Sequence, residues 1–227
     1  MFSEEPRLEA KFTIDERQVD RMLRWIRLHP ARFATAYPDR IVNNIYFDTP
    51  DCAAFADNLA GISARMKVRY RWYGDSVAPD IGSLEVKCRR NQYCWKIRYP
   101  ILVSPYRDGA TWSEIRNALT NQLPAPGRHL LQMNPCPILT NRYSRRYFVS
   151  SDQNVRVTVD TAVGVCDQRL RSRPRFDDRA HLTRSAVLEI KFAAGVRDQV
   201  AGWLDGLQSR ATRHSKYTAG LCLIDGA

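Results

Sequence analysis

Apolar and charged residues alternate with a period of two through much of this chain. In "ARMKVRYRWYG", Ala64 to Gly74, an extended strand puts Arg65, Lys67, Arg69 and Arg71 on one face and Met66, Val68, Tyr70 and Trp72 on the other. The pattern returns elsewhere. "RLEAKFTI" sets Arg7, Glu9, Lys11 and Thr13 against Leu8, Phe12 and Ile14. "LEVKCR" sets Glu85, Lys87 and Arg89 against Leu84, Val86 and Cys88, and "WKIRY" sets Lys96 and Arg98 against Trp95, Ile97 and Tyr99. "YSRRYFV" puts Tyr143, Arg145 and Tyr147 on one face. "VRVTVD" places Arg156, Thr158 and Asp160 opposite three valines, and "LEIKF" places Glu189 and Lys191 opposite Leu188, Ile190 and Phe192. "NNIYFDT" reads as a further strand that runs into a proline turn.

Helical spacing is confined to a few segments. Val19, Met22, Leu23 and Ile26 line one face of a helix over about Glu16 to Leu28. In "TWSEIRNAL", Thr111 and Glu114 have the spacing of a capping box and start a second helix. Val200, Trp203, Leu204 and Leu207 form the stripe of a third, about Val196 to Gln208, with Trp203 in the core. A short helix is expected at about Lys216 to Leu223. With no fixed-period repeat, low-complexity tract or long linker, residues 1–227 read as one domain.

Like charges on one strand face repel, so a run of cations on one side needs an explanation. Two architectures fit the alternation. In one, an open antiparallel sheet covers its apolar face with helices and turns its charged face to water. In the other, the sheet closes into a barrel whose charged faces line a wet interior and whose apolar faces point outward under helices. Cations packed into an interior cost several kcal/mol per unpaired ion, which bound anions would offset. The pattern alone leaves both open.

Composition adds a bias. The chain has 227 residues, 44% hydrophobic and 26% charged, an ordinary globular mixture. Its 35 Lys and Arg exceed its 24 Asp and Glu, for a formal charge of +11. That excess favours anionic partners: nucleic acid, an acidic membrane surface or phosphate-rich molecules. "MFSEEPRLEAKF" lacks a secretory pattern, and no stretch approaches the ~18 apolar residues of a membrane span, so the expected location is cytoplasmic. The six cysteines show no CxxC pair and no histidine at zinc spacing, and reduced, mostly buried thiols are expected.

Taken in order, "NNIYFDTPD", "ARMKVRYRWYG", "LEVKCR", "YSRRYF", "VRVTVD", "LEIKF" and "SKYTAG" resemble the VTC (vacuolar transporter chaperone) catalytic domain. That domain belongs to the triphosphate tunnel superfamily, with the CYTH proteins. The resemblance runs from Arg7 to Gly220. It implies an α+β fold: an antiparallel, eight-stranded closed tunnel barrel with a basic lumen, flanked by helices. The activity it implies is an ATP-dependent polyphosphate polymerase that adds the γ-phosphate of ATP to a growing chain, with Mn²⁺ or Mg²⁺. Carried over motif by motif, it assigns catalytic roles to Lys11, Arg65, Lys67, Lys87, Lys96, Arg145, Arg156 and Lys216. It assigns substrate contacts to Arg69, Tyr143, Ser215 and Tyr217, and the metal to Glu189. Arg forks suit phosphate oxygens, while Lys acts as a point charge. Lys216 is expected to close one tunnel end.

Departures from the family pattern shape the alternatives. CYTH triphosphatases carry E-x-E-x-K on the first strand, and here "RLEAK" puts Arg7 where the first Glu would stand. One metal-binding carboxylate is thereby lost, which favours the polymerase over an inorganic triphosphatase. The SPX domain and membrane segments of fungal members are not expected within these residues, so a membrane protein or other partner would act in trans. A non-catalytic module that binds polyphosphate or inositol phosphates is the other reading. Nucleic acid is not expected, because the aromatics fall mostly opposite the cations, Tyr143 and Tyr147 excepted. Glu9 and Glu85 are expected to pair with Lys11 and Lys87 and so orient them. Asp160 is expected to anchor Arg156 or cap a turn, and Arg71 to emerge toward water. The four histidines, His29, His129, His181 and His214, are expected in loops or on the surface, and "RLRSRPRF" as a solvated basic loop.

Overall fold

The structure, a computed structural model, describes residues 2–3, 8–77, 81–91, 93–177, 179–182, 185–205, 207, 211–212 and 214–226. Arg7 and Gln208 lie outside the described residues. The strands are β1 (Phe2–Ser3), β2 (Leu8–Asp15), β3 (Ala34–Asp48), β4 (Ala64–Tyr73), β5 (Gly82–Arg90), β6 (Tyr93–Ile101), β7 (Cys136–Val149), β8 (Val155–Asp167), β9 (Ala180–His181) and β10 (Ser185–Phe192). The helices are α1 (Val19–Leu28), α2 (Ala53–Leu59), α3 (Trp112–Asn121), α4 (Ala125–Met133), α5 (Arg197–Asp205) and α6 (Lys216–Asp225). Among the described residues nine strands form one antiparallel sheet in the order β1-β6-β5-β4-β3-β7-β8-β10-β2, and β9 adds to β8.

The alternation read from the sequence sets the two faces. The apolar faces of β2, β8 and β10 bury Phe12, Ile14, Val157, Val159, Leu188 and Ile190 against Met22, Leu23 and Ile26 of α1 and Val200 of α5. On the other half, Val68, Tyr70, Trp72, Leu84, Val86 and Ile101 pack against Trp112, Ile115 and Leu119 of α3 and Leu131 of α4. Each large apolar side chain so buried contributes about 1.5–3 kcal/mol. The capping box of α3 forms as its spacing predicts: the Thr111 hydroxyl accepts from the Glu114 amide, and the Glu114 carboxylate accepts from the Thr111 amide.

The sheet is curled but not closed by backbone hydrogen bonds, contrary to the expected eight-stranded closed barrel. The main path of the sheet ends at β1 and β2, and among the described residues no ladder joins β2 to β1 or to β6. The edges do approach each other. Lys87 Nζ of β5 lies 3.1 Å from the Glu9 carboxylate of β2, so side chains from the two ends of the sheet meet across the concave face. Alternation fixes which residues share a face. Closure depends on how far the edge strands slide past one another, which no single strand's pattern records.

One end of the concave face is filled. Tyr46, Leu139 and Val165 meet Ala54 of α2 and Tyr217 and Leu221 of α6 in a separate apolar cluster. The helix sits close because residue 220 is glycine: a Cβ there would lie 2.8 Å from Leu139 Cδ2 and 2.9 Å from Val165 Cγ1. No helix among the described residues is long and apolar enough to cross a membrane.

Candidate functional site

The concave face gathers the charges that alternation sends inward, and cations outnumber carboxylates. Its centre is Glu85, which is fully buried. Arg69 donates to it through Nε and Nη2 at 3.0 and 2.6 Å. Arg98 lies at 3.3 Å, Lys96 at 3.5 Å and Arg71 at 3.7 Å. Burial disfavours the Glu85 carboxylate, but Arg71, Arg69 and Lys96 outweigh it and hold the group well below the usual range. A single carboxylate cannot neutralise four cations. The surplus is fixed by neutral partners: Arg71 Nε donates to Asn44 Oδ1 at 2.7 Å and Nη2 to the Tyr143 hydroxyl at 2.9 Å. Arg71 therefore does not emerge toward water; it is 5% exposed.

A second cluster lies where β2, β10 and β5 converge. Lys11 Nζ is 2.6 Å from Glu9, and Lys87 reaches the same carboxylate, so Glu9 does pair with the lysines. Lys191 Nζ is 2.6 Å from Glu189. Burial and the neighbouring Glu189 both work against ionised Glu9, yet Lys87 and Lys11 hold it down at about 2. Burial, then Lys11, pushes Lys87 down to about 8.

A third cluster is tied to α6. Arg145 forks onto Asp160 through Nε at 2.5 Å and Nη2 at 2.7 Å. Lys216 Nζ meets the same carboxylate at 2.5 Å. Asp160 thus anchors Arg145 and Lys216; Arg156 is exposed at the start of β8, in register with Lys191 and outside these clusters. Lys216 also lies 4.7 Å from the Tyr143 ring. It stands at the first turn of the helix that fills one end of the face.

Lys67 is the cation with the least compensation. Its Nζ donates to Ser215 Oγ at 2.6 Å, and it forms no ion pair with a carboxylate among the described residues. Burial, reinforced by Lys87, Lys11 and Arg65, pushes it down to about 6. Arg65, half-buried at the start of β4, donates to the Ile62 carbonyl. Ser215 caps α6 by accepting from the Thr218 amide. Tyr217, expected to touch substrate, gives its hydroxyl to buried Asp48 at 2.6 Å and stacks on Tyr46 at 4.9 Å; it supports the site from behind.

The segment before α6 also brings in a residue that its sequence context did not flag. His214 is half-buried, not on the surface. Its carbonyl accepts from Lys11 Nζ at 3.1 Å, and its Nε2 is buried without a hydrogen-bond partner. Burial, then Lys216 and Lys11, pushes its imidazole down to about 4. Asn141 Nδ2 and Thr158 Oγ1 are likewise buried and unpartnered on the strands of this face. Buried polar atoms are normally bonded, so these three are open positions for ligand oxygens or water. His29, by contrast, is a core residue: it is 8% exposed, its ring 4.7 Å from Trp25 in a tilted contact and 4.7 Å from Trp203 edge-on. His129 and His181 are exposed. In the basic loop, Arg169 is paired with Asp167 and Asp225, and Phe176 packs on Trp72.

Among the described residues no three His, Cys, Asp or Glu side chains converge as a metal site. Glu189 and Glu9 form a carboxylate pair close enough for the charge of Glu189 to disfavour ionisation of Glu9. Such a pair suits a hard cation that takes its remaining ligands from phosphate and water.

The family model described as VTC domain matches residues 6–224. No curated protein matches. Among solved structures, the PH1819 protein of Pyrococcus horikoshii OT3 is 14% identical, with a TM-score of 0.51 over 96% of this chain and 99% of that one. A Vibrio parahaemolyticus protein, carried under the provisional description of an adenylate cyclase, is 11% identical, with a TM-score of 0.52 over 95% of this chain and 99% of that one. At these identities the likeness is one of fold.

Proposed function

The chain belongs to the VTC domain family, and from that premise we propose that it is a polyphosphate polymerase, transferring the γ-phosphate of ATP to a growing chain held on the concave face. The observation that carries this reading is the surplus of inward cations, above all Lys67, which has no carboxylate partner among the described residues. A linear polyanion supplies the charge that this surface lacks. The curled sheet, across which Glu9 of β2 and Lys87 of β5 meet, acts in this reading as a tunnel.

Phosphoryl transfer needs positioning and charge neutralisation more than covalent chemistry from the protein. Arg69 and Arg145, whose Nε–Nη2 edges are held by Glu85 and Asp160, and Arg71, held by Asn44 and Tyr143, present their remaining N–H groups to non-bridging oxygens. Lys11 and Lys87 supply point charges along the path, Lys67 joins them as the bound polyanion raises its depressed pKa and it takes up a proton, and Lys96 adds one beside Glu85. A terminal oxygen of the growing chain attacks the γ-phosphorus, the bond to the β–γ bridging oxygen breaks, and ADP leaves. Glu189, with Glu9 beside it, would hold Mg²⁺ or Mn²⁺, which when bound polarises the transferred group. Ser215 and Tyr143 hold Lys67 and Arg71 in place along the path, while Arg156 lies outside it, exposed at the start of β8.

A second reading rests on the lysines that occupy both carboxylates: Lys11 on Glu9 and Lys191 on Glu189. If those pairs are never exchanged for a cation, the chain is a polyphosphate-binding module without turnover. Charge reversal separates the readings. Lys67→Glu is expected to abolish polyphosphate synthesis while far-ultraviolet circular dichroism stays unchanged. Synthesis that survives in Lys67→Glu overturns the polymerase assignment for this face, and tight polyphosphate binding by the wild type with no turnover supports the module.

A further inference from the structure

The end of the concave face away from α6 is built differently from its interior. The Arg40 guanidinium carbon lies 4.9 Å from the ring centroid of Tyr37, 5.7 Å from Tyr73 and 5.9 Å from Tyr147. Tyr37 and Tyr147 meet edge to face at 5.5 Å. The β3–β7 register sets Arg40 opposite Arg145 and Tyr37 opposite Tyr147, so all four point to one face. Tyr73 extends the inward row of Arg69 and Arg71 on β4. Tyr147 is also 5.9 Å from the guanidinium of Arg145, which places the ring at the border of the cationic interior.

This cluster does not behave like core. Tyr37 is 51% exposed and Tyr73 44% exposed. Arg40 forms no ion pair with a carboxylate among the described residues, and its neighbour Asp39 is engaged by Arg146 at 3.1 Å. Partly exposed tyrosine rings around an uncompensated guanidinium suit a flat, electron-rich ring attached to an anion. Phosphate alone has no use for tyrosine faces.

We propose that this tyrosine collar is a nucleobase subsite. The base of a nucleoside triphosphate stacks on Tyr73 and Tyr147 beside Arg40, and its phosphates run inward to Arg71 and Arg145. The proposal rests on the reading of the concave face as a phosphate site. Stacking tolerates any base, so the collar selects nucleotides over bare phosphate chains rather than one base over another.

Calorimetric titration with ATP and with tripolyphosphate, for the wild type, a Tyr73→Ala/Tyr147→Ala double variant and a Tyr73→Phe/Tyr147→Phe double variant, tests this. The alanine pair is expected to lose roughly tenfold or more in ATP affinity and to keep its tripolyphosphate affinity, and the phenylalanine pair to bind ATP like the wild type. Equal losses for both ligands, or no loss for either, overturn the subsite and leave the phosphate reading standing. A wild type that binds neither ligand overturns the phosphate reading and the collar with it. On the unmodified protein, ring resonances of Tyr37, Tyr73 and Tyr147 are expected to shift with ATP and not with tripolyphosphate. Rings that respond alike to both ligands contradict the proposal without any variant having to fold.

Discussion

At the scale of single residues, the site is a set of cations whose charge the protein itself does not fully answer. Lys67 shows the consequence for stability. Its folded value of about 6 lies below the ordinary 10.5, so between these values the unfolded chain binds a proton that the folded chain does not. The destabilisation is therefore complete below about pH 6, shrinks as pH rises and is absent above about 10.5. Lys67→Met is expected to raise the melting temperature by roughly a few degrees at pH 6 and to leave it near the wild type at pH 10. Thermal melts at the two pH values check this, and a gain at pH 10 equal to that at pH 6 would show that the lysine is not strained by its charge. Glu85 is the reverse case. Glu85→Gln leaves four cations without their shared carboxylate, and a loss of about 3–5 kcal/mol is expected in urea unfolding. A loss under about 1 kcal/mol would mean that solvent reaches the cluster.

At the scale of elements, α6 is the piece that ties the clusters together. Ser215 takes Lys67, Lys216 joins Arg145 on Asp160, and Tyr217 reaches Asp48. The helix can sit there only because Gly220 admits Leu139 and Val165. Gly220→Val is expected to destabilise by about 1–3 kcal/mol or more and to weaken polyphosphate binding as well, because displacing the helix moves Ser215 and Lys216. Binding that stays intact in a destabilised Gly220→Val chain would separate α6 from the site. Elements were legible to different degrees. The period-two rows of β4, β5 and β10 could be read directly, since each strand has one wet and one dry face. The first half of β3 could not: Pro38 interrupts the pattern, and the strand continues through register shifts between Thr35, Tyr37 and Arg40. The same irregularity hid Arg40 and Tyr37. The short α2 and the Pro- and Gly-containing first turn of α4 likewise carry too little periodicity to announce helices.

At the scale of the whole molecule, a formal charge of +11 becomes meaningful only once the fold shows where the charge points. Alternation told which residues share a face, and the ordered motifs pointed to the family. Neither told that the sheet edges would stay unladdered, nor that Asp160 would serve Arg145 and Lys216 rather than Arg156. Those facts depend on how distant strands slide and cross, and local pattern holds no record of it. The central claim is that this inward charge makes polyphosphate. Its most direct test is to incubate the chain with ATP labelled at the γ-phosphate and Mn²⁺ or Mg²⁺, and to resolve the products by gel beside a Glu189→Ala control. The account predicts labelled chains longer than the nucleotide's own triphosphate, formed together with ADP and lost in the control. Label recovered only as orthophosphate, or left entirely in ATP, contradicts it.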